Sequence, residues 1–409
     1  MRRVLVRSCV VLALLPLAAL SWEPAAGAVN AHANYRAVCG PASGAQARCG
    51  ALVVTDSQGN PLATRGPSGY GPDQFHGAYS LPTAAPAPQT IGIVDAYDWP
   101  TAKADLDKYD VQFGLPAFPS CSSTITTACF QKVNQDGLAS PLPPANASWA
   151  QETAMDVEVA HAICQNCRIL LVEANTAGFA DLAAAENRAV LLGANTVSNS
   201  YGGGDWVIDL TPYQAAYDHQ GVAIVASTGD NGYMSSGAVF PSSLPTVVAA
   251  GGTSLLVNAD NSYRSESVWS GAGSGCSARF QAAAWQTSLG NWSAVGCGTA
   301  RATADVAADA DPATGAAVYD STKYKSSVGW LTMGGTSLSS PIIAGVYALA
   351  ANAVSQPYPA SLAYANTSGL RDVTAGANST TCGGRAICQA GAGYDGPTGL
   401  GTPNGTSSF

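Results

Sequence analysis

The stretch Gly334–Ala350, GGTSLSSPIIAGVYALA, predicts a tight glycine turn that leads directly into a buried helix. Such a turn delivers the hydroxyl of Ser337 to the amino-terminal end of the helix. Unpaired backbone N–H groups and the helix dipole favour negative charge there, so they would stabilise an alkoxide or a tetrahedral oxyanion. Ser337 is therefore a candidate nucleophile, although a serine in this place is also an ordinary helix cap.

The same tetrapeptide occurs earlier, at Gly251–Ser254, in a different setting. That copy runs into Leu255–Val257 and then into the turn-like Asn258–Asn261, with no proline and no helix. The pattern predicts a strand that ends in a loop. Ser337, and not Ser254, is the serine that the surrounding sequence favours for chemistry.

Two carboxylates lie one helical turn apart in the segment Ser148–Ile163. The segment begins with the Ser-x-x-Gln form of a capping box and continues with good helix formers, so it predicts a helix. Glu152 and Asp156 then project from one face, where their charges repel unless they share a proton or face a third partner. An ordinary solvated helix face is the alternative.

Short apolar runs alternate with helical stretches from Thr90 onward and predict buried parallel strands. The predicted strands are Thr90–Val94, Ile169–Val172, Val222–Ala226 and Thr246–Ala249, with a helix at Phe179–Leu192. This alternation predicts one α/β domain with a central, mostly parallel β-sheet and helices on both faces. Functional side chains are then expected at the carboxyl ends of strands, where Asp230 lies.

Several motifs in one order carry a resemblance to a known family. They are Glu152–Asp156, Ser227–Gly232, Phe240–Thr253, Ala304–Gly315 and Gly335–Pro341. In this order they resemble the sedolisins, or serine-carboxyl peptidases, of the subtilisin-like superfamily. The likeness extends from about Tyr70 to the carboxyl end and implies a subtilisin-like fold.

The resemblance implies a role for each candidate residue. It makes Ser337 the nucleophile, Glu152 the general acid/base, Asp156 the residue that holds Glu152, and Asp230 part of the oxyanion hole. The implied activity is hydrolysis of protein or peptide substrates through an acyl-enzyme, with endopeptidase action as the family default and tripeptidyl exopeptidase action as the alternative. A carboxyl group donates a hydrogen bond to an oxyanion only while it is protonated, so an acid optimum is expected.

The family is also similar to calcium binders in its carboxyl-terminal loops. The implied ligands for Ca²⁺ are Asp372, Val373, Gly391, Gly393 and Asp395, the valine and glycines through their carbonyls. Ca²⁺ takes six or more oxygens from flexible loops, and glycines let carbonyls turn inward. A Gly/Asp-rich loop is otherwise an ordinary turn.

Two rival hypotheses remain open at this point. Asp95 ends the first predicted strand, where subtilisin-like enzymes carry the aspartate of an Asp-His-Ser triad, and an Asp95/His161/Ser337 triad would work at neutral pH. However, His161 lies five residues beyond Asp156, so we expect it on a different face from Glu152, as a packing residue. The second rival is a non-catalytic secreted binding module on the same scaffold.

The amino terminus predicts secretion. Residues 1–28 have the charged start, apolar centre and small-residue end of a signal peptide, and we prefer general secretion to a twin-arginine route. Residues 29–88 are expected to be a short segment and linker, without a full-length prodomain, and residues 89–409 the catalytic domain. No other stretch is apolar enough to cross a bilayer, and we expect a monomer without a membrane attachment.

Cysteines and charge agree with an extracellular protein. Removal of the signal peptide leaves ten cysteines, an even number that suits an oxidising compartment. We expect local disulfides between sequence neighbours, with a redox or metal pair as the alternative for Cys164 and Cys167. The formal net charge of −9 argues against nucleic acid binding, which needs a basic face.

Overall fold

A computed structural model describes residues 34–42, 44–207, 209–325 and 327–409. The predicted signal peptide, residues 1–28, lies outside the described residues. The strands are β1 Asn34–Ala37, β2 Arg48–Cys49, β3 Leu52–Thr55, β4 Thr90–Ala96, β5 Phe130–Asn134, β6 Arg168–Ala174, β7 Thr196–Asn199, β8 Tyr201–Gly204, β9 Ala223–Ser227, β10 Val239–Phe240, β11 Val248–Val257, β12 Tyr263–Val268, β13 Gly275–Gln281, β14 Ala300–Thr303, β15 Val306–Asp309, β16 Ala316–Tyr324, β17 Ser327–Gly334, β18 Leu370–Arg371 and β19 Thr402–Pro403. The helices are α1 Pro72–Tyr79, α2 Ala102–Phe113, α3 Ala147–Ile163, α4 Phe179–Leu191, α5 Ala284–Thr287, α6 Trp292–Val295, α7 Thr336–Ala350 and α8 Leu362–Ala365.

A mostly parallel sheet forms the centre of the fold. Its strand order is β12-β11-β9-β7-β4-β6-β5, and β15 pairs with β11 beside this path. All of these pairings are parallel except that of β12 with β11. Parallel strands place their carboxyl ends at one edge of the sheet, which brings together the residues that follow β4, β7 and β9.

Helices cover both faces of this sheet, as the sequence predicts. Helices α3 and α7 pack against each other and against β4, while α4 packs against β4 and β6. Successive side chains of a strand point to opposite faces. A Cβ on Gly92 would meet Ala189 and Ala194 on the α4 side, so Ile91, Ile93 and Asp95 point toward α3 and α7.

Residues 34–55 add strands outside the central sheet. Strand β3 pairs with β1 and with β17, which in turn pairs with β16. Strand β2 pairs with β8, which also pairs with β10. None of the helices in the described part of the chain combines the length and the apolar character needed to span a bilayer.

The predicted strands and helices are present in the structure, with differences at their ends and at one helix cap. All four predicted strands and the helix at Phe179–Leu191 are present, and Gly251–Ser254 lies within β11. The capping box on Ser148 is wrong: the cap of α3 is Asn146, whose Oδ1 accepts from Ser148 N at 3.1 Å and Trp149 N at 3.3 Å. The Asn146 amide reaches both N–H groups, so Ser148 falls inside the first turn.

The expected local disulfides are confirmed. They join Cys39 with Cys49, Cys121 with Cys129, Cys164 with Cys167, Cys276 with Cys297, and Cys382 with Cys388. The metal alternative for Cys164 and Cys167 loses its support because both sulfurs are in the disulfide. A redox pair forms the same bond when it is oxidised, so the redox alternative stays a prediction.

Candidate active site

Ser337 lies in the first turn of α7, at the carboxyl end of β17. Gly335, between the two elements, has a φ of 100°, a left-handed conformation that glycine adopts without strain. This turn reverses the chain and buries the Ser337 side chain completely. The Ser337 hydroxyl donates to the carbonyl oxygen of Ser200 at 3.1 Å.

Glu152 and Asp156 lie on the buried face of α3, beside α7. Both side chains are fully buried, so the interpretation of these residues as a solvated helix face is wrong. The Ser200 hydroxyl lies between the two helices, 2.8 Å from Asp156 Oδ1 and 3.2 Å from Ser337 O. The sequence analysis missed Ser200. Its position directly after β7 could have indicated it, because functional groups cluster at the carboxyl ends of parallel strands.

Asp95, at the end of β4, completes a buried group of three carboxyls. Burial and the neighbouring Asp95 raise the pKa of Glu152 well above its usual value, against the opposing effect of the Ala51 N–H and the Ser337 hydroxyl. Burial, Asp95 and Glu152 likewise raise the pKa of Asp156. Burial raises the pKa of Asp95 itself. Three negative charges cannot coexist in so dry a site, so the group retains protons.

His161 does not join this group. Its Nε2 lies 3.2 Å from Asp110 Oδ1 on α2, and its ring stacks on Phe118 with centroids 3.9 Å apart. The Asp95/His161/Ser337 triad is therefore wrong, because His161 lies on another face of α3 while Asp95 faces Glu152. His161 packs between helices, as its spacing predicts.

Asp230 follows β9 and faces the turn that carries Ser337. Its Oδ1 accepts from Thr336 N at 2.6 Å and from Thr336 Oγ1 at 3.2 Å. Burial raises the pKa of Asp230 to about 7, and the bonds from Thr336 and the charge of Arg48 oppose that rise. Asp230 therefore carries a proton below about pH 7 and can then donate a hydrogen bond.

A groove of about 450 Å³ leads to these residues. The strand β8, Asp230 and the segment Arg48–Gly50 all line it. The N–H of Ala51 donates to Glu152 Oε2 at 2.6 Å, while Glu152 Oε1 has no hydrogen-bond partner among the described residues. The sequence analysis did not place any part of residues 29–88 at the site.

The predicted calcium loop brings Asp372 and Asp395 to one region. Asp395 is buried, and its Oδ1 accepts from Thr398 N at 2.9 Å and from Thr398 Oγ1 at 2.8 Å. Its Oδ2 is buried without a hydrogen-bond partner in the described part of the chain. Burial raises the pKa of Asp395 to about 8 against the bonds from Thr398, while Asp372 Oδ2 accepts from Gly393 N at 2.8 Å.

Carbonyl oxygens supply the other expected ligands. Asn291 Nδ2 donates to Tyr394 O at 2.8 Å and to Ala392 O at 3.4 Å. These two carbonyls of the loop therefore point toward Asn291. The carbonyl oxygens of Val373, Gly391 and Gly393 accept no hydrogen bond from the backbone N–H groups of the described residues. The described residues contain no group of three or more His, Cys, Asp or Glu side chains suited to a metal. An orphaned carboxylate oxygen and free carbonyls nevertheless fit a hard cation such as Ca²⁺.

Comparison with known proteins finds sedolisins among the proteins that this chain resembles in sequence and in fold. The chain is 28% identical over 379 residues to sedolisin from Pseudomonas sp. (strain 101), an alignment that covers 83% of this chain. The structure of Pseudomonas sedolisin, a serine-carboxyl proteinase, complexed with two molecules of pseudo-iodotyrostatin, matches with a TM-score of 0.66 and 25% identity. That match covers 83% of this chain and 96% of the other. The chain is a homologue of the sedolisins.

A second known protein is similar to the same share of this chain. Kumamolisin from Bacillus sp. (strain MN-32) is 28% identical over 372 residues, which cover 83% of this chain. The alignments span 61% of the Pseudomonas sedolisin sequence and 63% of the kumamolisin sequence. No protein-family model matches the chain. The relatives are serine-type peptidases, and the fold is the subtilisin-like one that the sequence predicted.

Proposed function

We propose that this sedolisin homologue is an acid-acting serine-carboxyl endopeptidase that cleaves proteins and peptides. The observation that carries the proposal is the placing of Ser337, at the start of α7, beside a buried group of proton-retaining carboxyls and opposite Asp230. Burial of a carboxyl without a hydrogen-bond partner lowers the stability of a fold, and the function of a binding module does not require such a group. Their presence argues for catalysis.

Glu152 is the general acid/base in the proposed mechanism. Its Oε1, which has no hydrogen-bond partner in the part of the chain that the structure describes, takes the proton of Ser337 Oγ when that oxygen attacks a substrate carbonyl carbon. Glu152 then returns the proton to the leaving amine nitrogen, and water hydrolyses the acyl-enzyme. Burial and Asp95 raise the pKa of Glu152, which keeps it able to carry a proton in mild acid. Asp156, whose own pKa Glu152 helps to raise, shares the protons of this group.

Asp230 stabilises the oxyanion. The bonds from Thr336 hold its Oδ1, which leaves Oδ2 to donate to the oxyanion when the group is protonated. A protonated carboxyl is present below its pKa of about 7 and is lost as the pH rises through that value. The charged form would repel the oxyanion, so activity depends on acid.

The rate of hydrolysis of a denatured protein is accordingly expected to be highest in acid and to fall near pH 7. Asp230→Asn keeps an Oδ1 acceptor for Thr336 and places an amide donor where the carboxyl proton stood. Asp230→Asn should therefore lose the fall near pH 7, whereas Asp230→Ala should lower kcat by about 10²- to 10³-fold in acid, where the wild-type carboxyl is protonated. The measurement is a profile of kcat against pH for the three proteins.

Equal losses of kcat in Asp230→Asn and Asp230→Ala would contradict the role of Asp230 as the oxyanion donor. Only alanine removes both the hydrogen-bond acceptor for Thr336 and the donor to the oxyanion. A wild-type optimum at neutral or alkaline pH would contradict the acid-acting function as a whole. Circular dichroism of each variant at each pH is the control for folding.

The proposed enzyme is a secreted monomer. The signal-like residues 1–28 precede a chain whose described cysteines are all in disulfides, as suits an oxidising compartment. In this division residues 29–88 are the N-terminal segment and linker, and residues 89–409 form the peptidase domain with the calcium loop at its carboxyl end.

Ca²⁺ is the proposed structural ion of that loop. Asp372 and Asp395 would hold it through carboxylates, and Val373, Gly391 and Gly393 through carbonyls. Bound there, the ion would supply positive charge to Asp395 Oδ2, which is buried and has no hydrogen-bond partner among the described residues. It takes no part in peptide hydrolysis.

Added Ca²⁺ should raise the Tm of the protein by several degrees, and a chelator should reverse the rise. At a free concentration of 100 times Kd, the stabilisation is about 2.7 kcal/mol. Asp395→Asn keeps the acceptor for Thr398 but removes the charge, so its Tm should no longer respond. The matched control is Asp56→Asn in an exposed turn, and equal responses of the two variants would refute the site.

A further inference from the structure

Pro341 leaves one carbonyl oxygen of α7 without its usual partner. In an α-helix each carbonyl oxygen accepts from the N–H four residues later. For Ser337 that later residue is Pro341, which lies inside α7 and has no N–H. Ser337 is fully buried, and a buried carbonyl oxygen without a donor destabilises a fold. The residue that carries the candidate nucleophile therefore needs a donor from outside its own helix.

The Ser200 hydroxyl is placed to be that donor. Ser200 Oγ lies 3.2 Å from Ser337 O, while the carbonyl oxygen of Ser200 accepts from Ser337 Oγ at 3.1 Å. The two residues thus contact each other twice, each time side chain to main chain. Ser200 directly follows β7, a buried strand of the central sheet that packs against α7. These contacts join the backbone of Ser337 to the sheet.

The same hydroxyl also contacts the carboxyl group of Asp156. Asp156 Oδ1 lies 2.8 Å from Ser200 Oγ. A hydroxyl has one hydrogen to donate and two lone pairs that accept, whereas a carbonyl oxygen only accepts. If the hydrogen of Ser200 goes to Ser337 O, the contact with Asp156 is a hydrogen bond only when Asp156 Oδ1 carries a proton and donates it. Both contacts are therefore satisfied together only with a protonated Asp156.

The surroundings of Asp156 favour such a proton. Burial and the carboxyls of Asp95, on β4, and Glu152, on α3, raise the pKa of Asp156, while a hydrogen bond donated by Ser200 would oppose that rise. The neighbouring elements β7 and α7 carry no charged side chain. No cation on these elements offsets the repulsion among the three carboxyls, so the neutral form of Asp156 is the stable one.

We propose that Ser200 is a positioning residue, whose hydroxyl links protonated Asp156 to the main-chain carbonyl of Ser337 through two hydrogen bonds in series. This deepens the proposed peptidase function and rests on it. Pro341 makes the carbonyl available by withholding the helical N–H. The chain fixes helix α3, which carries Glu152, relative to the nucleophile on α7. It also holds one proton on Asp156, so that Glu152 is the carboxyl that exchanges its proton with Ser337.

The first test compares Ser200→Ala with Ser198→Ala on a fluorogenic peptide in acid. Ser198 is the matched control, because it is equally buried, in β7, and its Oγ lies 2.9 Å from Ser340 Oγ on α7. Each variant thus loses one hydroxyl contact to the same helix. We expect kcat of Ser200→Ala to fall about tenfold, the effect of one hydrogen bond, with KM unchanged. Ser198→Ala should keep a kcat within a fewfold of the wild type.

The direction in which the pKa of Asp156 moves tests where the proton lies. It is measured by ¹³C NMR of the aspartate carboxyl carbons, with the Asp156 signal assigned by its absence in Asp156→Asn. Loss of a partner that accepts from the protonated carboxyl should lower the pKa of Asp156 in Ser200→Ala, by about 0.5 to 1 pH unit. A hydroxyl that only donated to the ionised carboxyl would have the opposite effect. A raised or unchanged pKa would overturn the proposal.

Pro341→Ala tests the other end of the chain. Alanine restores an N–H that can donate to Ser337 O, so this oxygen would no longer depend on Ser200. The loss of Tm caused by Ser200→Ala should therefore be smaller in the Pro341→Ala background than in the wild-type background, while the pKa of Asp156 should fall in both. An equal loss of Tm in the two backgrounds would show that Ser200 and the Ser337 carbonyl are not coupled, and would refute the chain.

The outcomes separate this proposal from the peptidase function. A wild-type chain that hydrolyses the peptide, with equal kcat in Ser200→Ala and Ser198→Ala, overturns the positioning role of Ser200 and leaves the function in place. A wild-type chain that hydrolyses no peptide at any pH overturns the function and the positioning role together. In that case the NMR and Tm comparisons still decide whether the two hydrogen bonds exist.

Discussion

Ser337→Ala should lower kcat for peptide hydrolysis by about 10⁶-fold, the order of loss expected when a serine peptidase is deprived of its nucleophile. The fold should survive, because the Ser337 hydroxyl donates to Ser200 O at 3.1 Å, a single contact whose loss removes no packing, and alanine fits the same first turn of α7. The measurement is kcat on a fluorogenic peptide in acid, with Tm recorded for the same sample.

The matched control for this variant is Ser340→Ala. Ser340 is as deeply buried in α7 as Ser337. Its Oγ lies 2.9 Å from Ser198 Oγ, and not beside the three buried carboxyls of Asp95, Glu152 and Asp156. It should keep a kcat within a fewfold of the wild type. If Ser337→Ala were to hydrolyse the peptide as fast as this control, the nucleophile would have to be another group.

Glu152→Gln should lower kcat by about 10²- to 10⁴-fold, the usual contribution of a general acid/base. Glutamine keeps an oxygen that can accept from Ala51 N, so the segment at the groove stays in place. It cannot accept the Ser337 proton or protonate a leaving amine. A pH profile of kcat for the variant should also lose the inflection that Glu152 contributes.

Glu158→Gln is the control on the same helix. Glu158 is fully buried, like Glu152, but its Oε2 accepts from Tyr319 N at 2.9 Å on the far side of α3. We expect its kcat to be unchanged, with any effect confined to Tm. Equal losses in the two variants would mean that the loss reports damage to α3 and not a proton transfer.

The sequence predicted the sheet well because its strands are buried on both faces and are apolar along nearly their whole length. It also placed Ser337, Glu152, Asp156 and Asp230 correctly relative to their own helices and strands. Local sequence patterns could not predict which strand ends lie next to each other in the sheet. Ser200 contributes only because β7 ends beside both α3 and α7.

Two further features depended on contacts distant in sequence. Asp95 looked like part of a histidine triad, because the pattern around it gives no sign that its side chain faces Glu152. The Gly/Pro/Ser-rich stretch that contains Gly50 carries no periodic signal. Its path becomes visible only from the pairing of β2 with β8 and of β3 with β17.

The buried carboxyls also couple folding to proton uptake. An unfolded chain releases the protons of ordinary carboxyls near pH 4, whereas the folded chain retains that of Asp230 up to about pH 7 and that of Glu186, on α4, up to about pH 8. The stability that these groups contribute is therefore fully present below about pH 4 and is lost as the pH rises from there through those values. The pH range in which we propose that the enzyme works is therefore also the range in which these buried carboxyls stabilise its fold most.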